Sequence, residues 1–162
     1  MPQNVLFLCT GNSARSIMAE SLLNALGGGR FRAHSAGSRP LGRVHPLAVE
    51  LLNKHGYDTA GARSKSWSEF TGKNAPPLAY VITLCDMEQA DCPVFPGRAV
   101  RAQWPTPDPA MTAGPADATR AAFLATLGAL RRRVQRFTGL PFESVDPVAL
   151  TGLLAEIGTE TA

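Results

Sequence analysis

Residues 5–16 read VLFLCTGNSARS, and this stretch decides the fold that we predict for the whole chain. The apolar run at residues 5–8 is typical of a buried strand, and the apolar-periodic segment that begins at Ile17 is typical of a helix. Between them, Gly11 and Asn12 tolerate the unusual backbone angles of a tight turn. The stretch therefore predicts a strand, a short loop and a helix start in direct succession.

The loop between strand and helix has the features of an oxyanion cradle with a nucleophile inside it. Amides at a helix start have no intrahelical partner and lie at the positive end of the helix dipole, so they can bind an anion. Cys9 enters the loop from the strand, where the same field favours a thiolate. Arg15 can bind two oxygens of the anion with its planar guanidinium. The predicted oxyanion-binding residues are Thr10, Gly11, Asn12, Ser13, Ala14, Arg15 and Ser16.

A structural interpretation of the same residues competes with this one. Cys9 would then be a small buried hydrophobe at a strand end, and Arg15 a solvated helix charge. A cysteine followed by an arginine six positions later is a weak pattern in a chain with many arginines. The position between strand and helix is what favours the anion site.

Composition places the chain among ordinary globular proteins of one domain. It has 162 residues, 44% of them hydrophobic and 18% charged, which suffices for a hydrophobic core. The amino terminus has no positive cluster before a long apolar stretch, so we expect a cytoplasmic protein without a secretory signal or a membrane segment. In a reducing compartment, its three cysteines suit catalysis, redox chemistry or metal binding better than structural disulfides.

Two further groups of residues invite functional interpretations that we do not favour. The basic run at residues 131–133 is compatible with nucleic-acid binding, but it lies in a helical pattern and is interpreted as a solvated face, without a nucleic-acid partner. His34, His45 and His55 do not pair at metal-ligand spacing. We expect structural roles for all three and no metal site.

Strands and helices alternate along the rest of the chain. Strands are predicted at residues 5–8, 30–35, 78–84 and 99–104, and helices at residues 16–26, from His45-Pro46 to Gly56, at 115–137 and at 148–157. The long helix is predicted to present one apolar face that contains Phe123, Leu124, Leu127, Leu130 and Val134. Residues 78–84 are continuously apolar, as in a strand buried on both faces, and the more polar residues 99–104 indicate an edge strand. The predicted fold is an α/β three-layer sandwich, with helices on both faces of a four-stranded parallel sheet.

Two more cysteines extend the chemistry. Cys85 follows its predicted strand as Cys9 follows the first, and functional crevices lie beyond the carboxyl ends of parallel strands. Cys92 comes seven positions after Cys85. Zinc binding is the alternative, but zinc pairs have shorter spacings and need four ligands, and the chain has no second pair. A thiol relay is therefore favoured.

Asp108 lies in the proline-rich stretch at residues 105–109. Its flanking prolines fix the backbone, so the carboxyl group could be held over the pocket as a general acid. The alternative is a turn aspartate that accepts a hydrogen bond from its own backbone.

The ordered set of motifs resembles bacterial arsenate reductase, a family with the fold of low-molecular-weight protein tyrosine phosphatases. The matching residues are Cys9 to Ser16, Met18-Ala19-Glu20, His34-Ser35-Ala36-Gly37, Thr83-Leu84-Cys85, Cys92-Pro93, Trp104 and Asp108-Pro109-Ala110. The resemblance spans Asn4 to about Phe137. It implies a family domain at residues 1–140, with residues 141–162 as a C-terminal helical extension of the same domain.

The resemblance implies a mechanism without a cofactor that serves arsenic detoxification. Cys9 attacks arsenate held by the loop amides and Arg15, while Asp108 protonates the departing oxygen. Cys85 then attacks Cys9 and arsenite leaves. Cys92 attacks Cys85 and presents a disulfide to thioredoxin, or to glutaredoxin with glutathione. Phosphate and sulfate are the expected analogues of the substrate.

The chain departs from the family pattern at Ala14, at Lys65 and in the unusual Pro105-Thr106-Pro107 approach to Asp108. Ala14 stands where many relatives have another cysteine, which is not one of the relay thiols. Some relatives bind potassium with residues matching Asn12, Glu20 and Ser35 and with an acidic residue near position 65. Because this chain has Lys65 there, we expect its ammonium group to replace the ion and no potassium site to form.

Two other functions use the same loop. A tyrosine phosphatase would need Cys9, Arg15 and Asp108 but neither of the other cysteines, and such enzymes usually carry an aromatic residue where this chain has Ala110. A non-catalytic oxyanion sensor would keep the cradle without turnover. The two additional thiols favour the reductase over both.

Overall fold

The structure is a computed structural model that describes residues 2–85, 95 and 97–160. Its strands are β1 (Gln3–Cys9), β2 (Phe31–Gly37), β3 (Tyr80–Thr83) and β4 (Val100–Gln103). Its α-helices are α1 (Arg15–Leu26), α2 (Pro46–Lys54), α3 (Ala116–Thr138) and α4 (Pro147–Gly158). Short 3-10 helices are formed by Trp67–Phe70 and Pro109–Met111. Every predicted strand and helix is present, with bounds shifted by a few residues.

The four described strands form one parallel sheet in the order β2-β1-β3-β4. Strand β1 is central, and its residues Val5 to Leu8 are fully buried. Strand β4 pairs only with β3 among the described strands, which agrees with its prediction as an edge. The carboxyl ends of β1 and β3 therefore lie side by side, with Leu8 opposite Thr83.

Helices pack against this four-stranded parallel sheet, which confirms the predicted α/β fold class. Buried residues of all four α-helices pack on the face that contains Phe7 and Trp104. On the opposite face, Leu6 and Leu8 belong to a second cluster of buried residues, which includes Phe70 from the 3-10 helix Trp67–Phe70. The alternation of strand side chains thus supplies two hydrophobic cores.

The apolar face of α3 differs from its prediction at one position. Phe123, Leu127, Leu130 and Val134 are buried, but Leu124 is 48% exposed. Successive helical residues are rotated by about 100°, so only some adjacent pairs fit within the buried side of a helix, and Phe123 and Leu124 are not such a pair. No helix within the described residues is both long enough and apolar enough to cross a lipid bilayer.

The three histidines each make a structural contact. The Nδ1 atom of His45 accepts a hydrogen bond from the Leu47 amide at 3.1 Å and caps α2. His34 Nε2 lies 3.0 Å from Asn4 Oδ1, and the ring of His55 bonds the backbone of α2. Each histidine therefore has a hydrogen-bonding partner in the backbone or in a neighbouring side chain.

Candidate active site

The loop from Cys9, the last residue of β1, to Arg15, the first residue of α1, turns its carbonyl groups outward. The carbonyls of Thr10, Gly11 and Ser13 accept hydrogen bonds from the amides of residues 39, 41 and 45, at 2.9, 3.0 and 2.9 Å. No amide of residues 11–15 donates to an acceptor in the described part of the chain. These amides remain available for an anion, as a nest requires.

Asn12 holds the loop in this shape from inside. It has φ = 44°, in the left-handed region that asparagine tolerates better than most residues. Its Nδ2 donates to Ser16 Oγ at 2.8 Å, and its Oδ1 accepts from the Lys65 amide at 2.8 Å. A β-carbon on the neighbouring Gly37 would lie 2.5 Å from the Thr10 carbonyl oxygen. Only glycine therefore lets β2 approach the loop this closely.

The thiol of Cys9 lies at the base of the loop and is 2% exposed. Its Sγ is 2.8 Å from Ser16 Oγ, in the first turn of α1. A hydroxyl group in this position can donate to a thiolate and stabilise its charge. The structure therefore gives Ser16 a direct contact with the predicted nucleophile.

Arg15 and Asp108 meet although 93 positions separate them in the chain. Arg15 Nη1 donates to the Thr106 carbonyl at 3.0 Å, and Nη2 lies 3.7 Å from Asp108 Oδ2. Asp108 Oδ1 also accepts from the Ala110 amide at 3.0 Å. The carboxyl group thus makes the turn hydrogen bond of the alternative interpretation and also faces Arg15.

Cys85 follows β3 at the same edge of the sheet as Cys9. The Leu84 amide donates to the Leu8 carbonyl at 2.8 Å, which holds the two strand ends together. Both Cys9 and Cys85 are buried free thiols. Cys92, the third predicted relay thiol, lies outside the described residues.

A buried charged cluster lies beside the loop and contains Lys65, Ser35 and Glu20. Lys65 is 8% exposed, and its Nζ donates to the Arg63 carbonyl at 3.0 Å and to Ser35 Oγ at 3.4 Å. Ser35 Oγ donates to Glu20 Oε2 at 3.0 Å. Burial lowers the pKa of Lys65 and raises the pKa of Glu20, and the charge of each opposes the shift of the other. Because an ammonium group already lies among these oxygens, the residues do not fit a potassium ion.

The prediction of a solvated basic face is correct for Arg131 and Arg132 and wrong for Arg133. Arg133 is 6% exposed, because it shares the buried side of α3 with Leu130, Val134 and Phe137. Its guanidinium donates to Trp104 O, Pro105 O, Thr106 Oγ1, Gly158 O and Glu160 O. Leu130 and Phe137 lie three positions before and four positions after Arg133, and this helical spacing is the sequence signal that could have indicated its burial.

Comparisons with known proteins agree with this geometry. The family described as low molecular weight phosphotyrosine protein phosphatase matches residues 4–138. An arsenate reductase of Bacillus licheniformis is 33% identical over 135 residues, which cover 83% of this chain and 94% of the relative.

Two solved structures are similar over most of the chain. An arsenate reductase from Archaeoglobus fulgidus has a TM-score of 0.66 and 28% identity, covering 84% of this chain and 99% of the other. A thioredoxin-dependent arsenate reductase from Corynebacterium glutamicum has a TM-score of 0.57 and 25% identity, covering 83% of this chain and 62% of the other. The match to the family model ends at residue 138, so helix α4 (Pro147–Gly158) lies after the matched part of the chain.

Proposed function

The chain belongs to the low molecular weight phosphotyrosine protein phosphatase family, among its arsenate reductases, and we propose that it reduces arsenate to arsenite by a thiol–disulfide relay. The observation that carries this proposal is the convergence of five groups at one end of the sheet. The Cys9 thiol, the outward-turned loop and Arg15 form an oxyanion site, Asp108 faces it, and Cys85 follows the neighbouring strand.

The first step is nucleophilic attack on bound arsenate. The free amides of residues 11–15 and the remaining N–H groups of Arg15 bind the arsenate oxygens. The thiolate of Cys9, stabilised by Ser16, attacks arsenic. Asp108 in its protonated form donates a proton to the departing oxygen, which leaves as water. The product is a cysteinyl-arsenate adduct on Cys9.

The second step is the reduction. The thiolate of Cys85 attacks Cys9 Sγ, the sulfur–arsenic bond breaks, and its electron pair remains on arsenic. Arsenic(V) becomes arsenic(III), which leaves as arsenite, and the two sulfur atoms are oxidised to a Cys9–Cys85 disulfide. The buried core around both thiols excludes water and so favours attack by sulfur.

The third step restores the nucleophile. Cys92 attacks Cys85, releases Cys9 as a thiolate and leaves a Cys85–Cys92 disulfide for an external dithiol to reduce. Thioredoxin, or glutaredoxin with glutathione, is the proposed reductant, and the thioredoxin-dependent relative supports the first of these. A cytoplasmic location suits this step because thiols are kept reduced there.

A coupled assay tests the proposal. The protein is incubated with arsenate, thioredoxin, thioredoxin reductase and NADPH, and in parallel with glutaredoxin, glutathione and its reductase, and NADPH consumption is followed. We expect arsenate-dependent consumption that Cys9→Ser, Cys85→Ser and Cys92→Ser each abolish. Absence of consumption with both reductants would refute the reductase.

Mass spectrometry after alkylation tests the order of the thiols. With arsenate and no external reductant, Cys92→Ser should accumulate a Cys9–Cys85 disulfide. Cys9→Ser is the matched control and should form no arsenate-dependent disulfide. A Cys92→Ser protein that remains fully reduced would contradict attack by Cys85.

A phosphatase is the second candidate, because the contacts of Arg15 with Thr106 and Asp108 suit a phosphoryl group equally well. It would hydrolyse an aryl phosphate in a reaction that depends on Cys9 but not on Cys85. Efficient hydrolysis without any arsenate-dependent NADPH consumption would establish this alternative.

A further inference from the structure

Arg133 connects the C-terminal end of the chain to the segment that carries Asp108. We infer that Arg133, held by residues 158–160, is a positioning residue that fixes Arg15 and Asp108 for oxyanion binding. The inference rests on the proposed oxyanion site and extends it to residues that follow the family-matched part of the chain.

One side of the Arg133 guanidinium fixes residues 104–106. Its Nη1 lies 3.1 Å from Trp104 O, 3.0 Å from Pro105 O and 3.0 Å from Thr106 Oγ1. Thr106 Oγ1 also donates to Trp104 O at 2.8 Å. The three successive residues that follow β4 therefore all accept hydrogen bonds from the Arg133 guanidinium.

Thr106 links Arg133 to the proposed oxyanion site. Arg133 binds its hydroxyl group, and Arg15 Nη1 binds its carbonyl at 3.0 Å. Asp108 follows two residues later, and its Oδ2 lies 3.7 Å from Arg15 Nη2. A displacement of Thr106 would therefore move both the anion-binding arginine and the proposed acid.

The other side of the guanidinium is held by the end of α4. Arg133 Nη2 donates to Gly158 O at 3.3 Å and to Glu160 O at 3.0 Å. The last carbonyls of a helix lack intrahelical partners and carry the negative end of its dipole, so they suit a cation. Trp104 Nε1 donates to Leu154 O at 3.0 Å and anchors this helix to the sheet.

The contacts of Arg133 favour positioning over simple packing. All five described acceptors are uncharged oxygens, and burial lowers the pKa of Arg133. An apolar side chain would fill the same space without the cost of desolvating a charge. What a planar guanidinium provides is a rigid fork that spans two backbone segments.

Calorimetric titration with inorganic phosphate tests the inference without requiring turnover. We expect Arg133→Met to raise the dissociation constant about tenfold, because misplaced binding groups lose affinity. The KM for arsenate should rise in parallel. Arg131→Met, on the exposed side of the same helix, should leave both values unchanged. A merely structural role would lower the fraction of binding-competent protein and not the affinity of the folded fraction.

Two milder variants keep the test decisive if Arg133→Met does not fold. Arg133→Lys retains the charge but cannot span both segments, and Thr106→Val removes one acceptor without altering the carbonyl that Arg15 binds. Each should weaken phosphate binding about threefold, whereas Thr126→Val on α3 should not. Wild-type phosphate affinity in both variants would overturn the inference. Failure of arsenate reduction by the wild-type protein, with phosphate binding intact, would refute only the proposed function.

Discussion

At the scale of single residues, the site combines reactive groups with polar residues that hold them. Ser16 contacts Cys9 and also accepts from Asn12, and Asn12 in turn accepts from the Lys65 amide. Cys9, the proposed nucleophile, is thus linked through two side chains to the buried cluster of Lys65, Ser35 and Glu20. Substitutions in that cluster should affect stability more than the chemistry at sulfur.

Replacing Lys65 by methionine should destabilise the protein. Burial raises the pKa of Glu20 above its ordinary value of 4.5, so the folded state binds the carboxyl proton more tightly than the unfolded state does. The free energy of unfolding therefore falls as pH rises from 4.5 through the pKa of Glu20 in the folded state. Lys65 opposes the shift. Without it we expect a loss of about 2 kcal/mol in the free energy of unfolding at neutral pH, measured by urea denaturation.

The double variant Lys65→Met/Glu20→Gln is the matched control. It removes the carboxylate that the ammonium compensates, so it should recover most of the lost stability. A double variant that is as unstable as the sum of the single variants would show that the two charges do not interact.

At the scale of secondary structure, two glycines set how closely elements approach the site. Gly37 ends β2 against the loop, and Gly158 ends α4 against β4. In each case the atom that a side chain would meet is a backbone oxygen, which cannot move aside cheaply. Both elements are thereby packed more closely than any other residue would allow.

Gly37→Ala should disturb the oxyanion loop. The added methyl group would lie 2.5 Å from the Thr10 carbonyl oxygen, so the loop must shift. We expect about tenfold weaker phosphate binding and about 2 kcal/mol lower stability. Gly61→Ala is the control, because nothing lies within 4 Å of the position that its methyl group would take. Unchanged phosphate affinity in Gly37→Ala would contradict the tight approach of β2.

Gly158→Ala should loosen α4 from the sheet. Its β-carbon would lie 2.0 Å from the Gln103 carbonyl oxygen, and we expect a loss of about 2 kcal/mol, measured by thermal unfolding. Gly152→Ala lies in the same helix in open space and should stabilise the protein by about 0.5–1 kcal/mol. Equal effects of the two substitutions would show that α4 does not pack against β4 in this way.

At the scale of the whole molecule, one parallel sheet brings residues from distant parts of the chain to a single edge. Cys9, Cys85 and Asp108 come from separate strand ends or loops, and the parallel register makes these ends neighbours. Helix α4 packs beside β4, the outer strand of the sheet. Stability of the whole domain therefore supports the geometry of the site.

The contribution of His34 to the stability of the whole molecule should fall below neutral pH. Burial holds the pKa of His34 below its ordinary value of 6.5, and the charges of Arg32 and Lys65 lower it further. The folded state therefore favours the neutral ring, so this stabilisation is present above pH 6.5 and is lost as pH falls through the folded pKa. Urea denaturation of His34→Gln should show a weaker dependence on pH between about 7 and 5. An unchanged slope would mean that other groups cause the loss.

Much of the fold and part of the site could be predicted from local sequence. The apolar run at residues 5–8, the helix start after Arg15 and the end of α2 near Gly56 depend on short-range preferences, so their elements were found. Leu124 and Arg133 were misassigned because burial on a long helix depends on the exact rotation of the helix against its neighbours. The contact between Ser16 and Cys9 likewise needed the three-dimensional shape of the loop.

The sequence by itself determined the α/β fold and the succession of strand, loop and helix that carries Cys9 and Arg15, because strand, turn and helix-start preferences act within a few residues. Only the tertiary structure decided that Arg133 is buried and that residues 158–160 hold it behind Thr106. Those contacts join residues far apart in the chain, and their formation depends on the packing of α3 and α4 against the edge of the sheet. The succession of strand, loop and helix thus depends on residues close together in the sequence, whereas the hydrogen bonds of Arg133 depend on the packing of the whole fold.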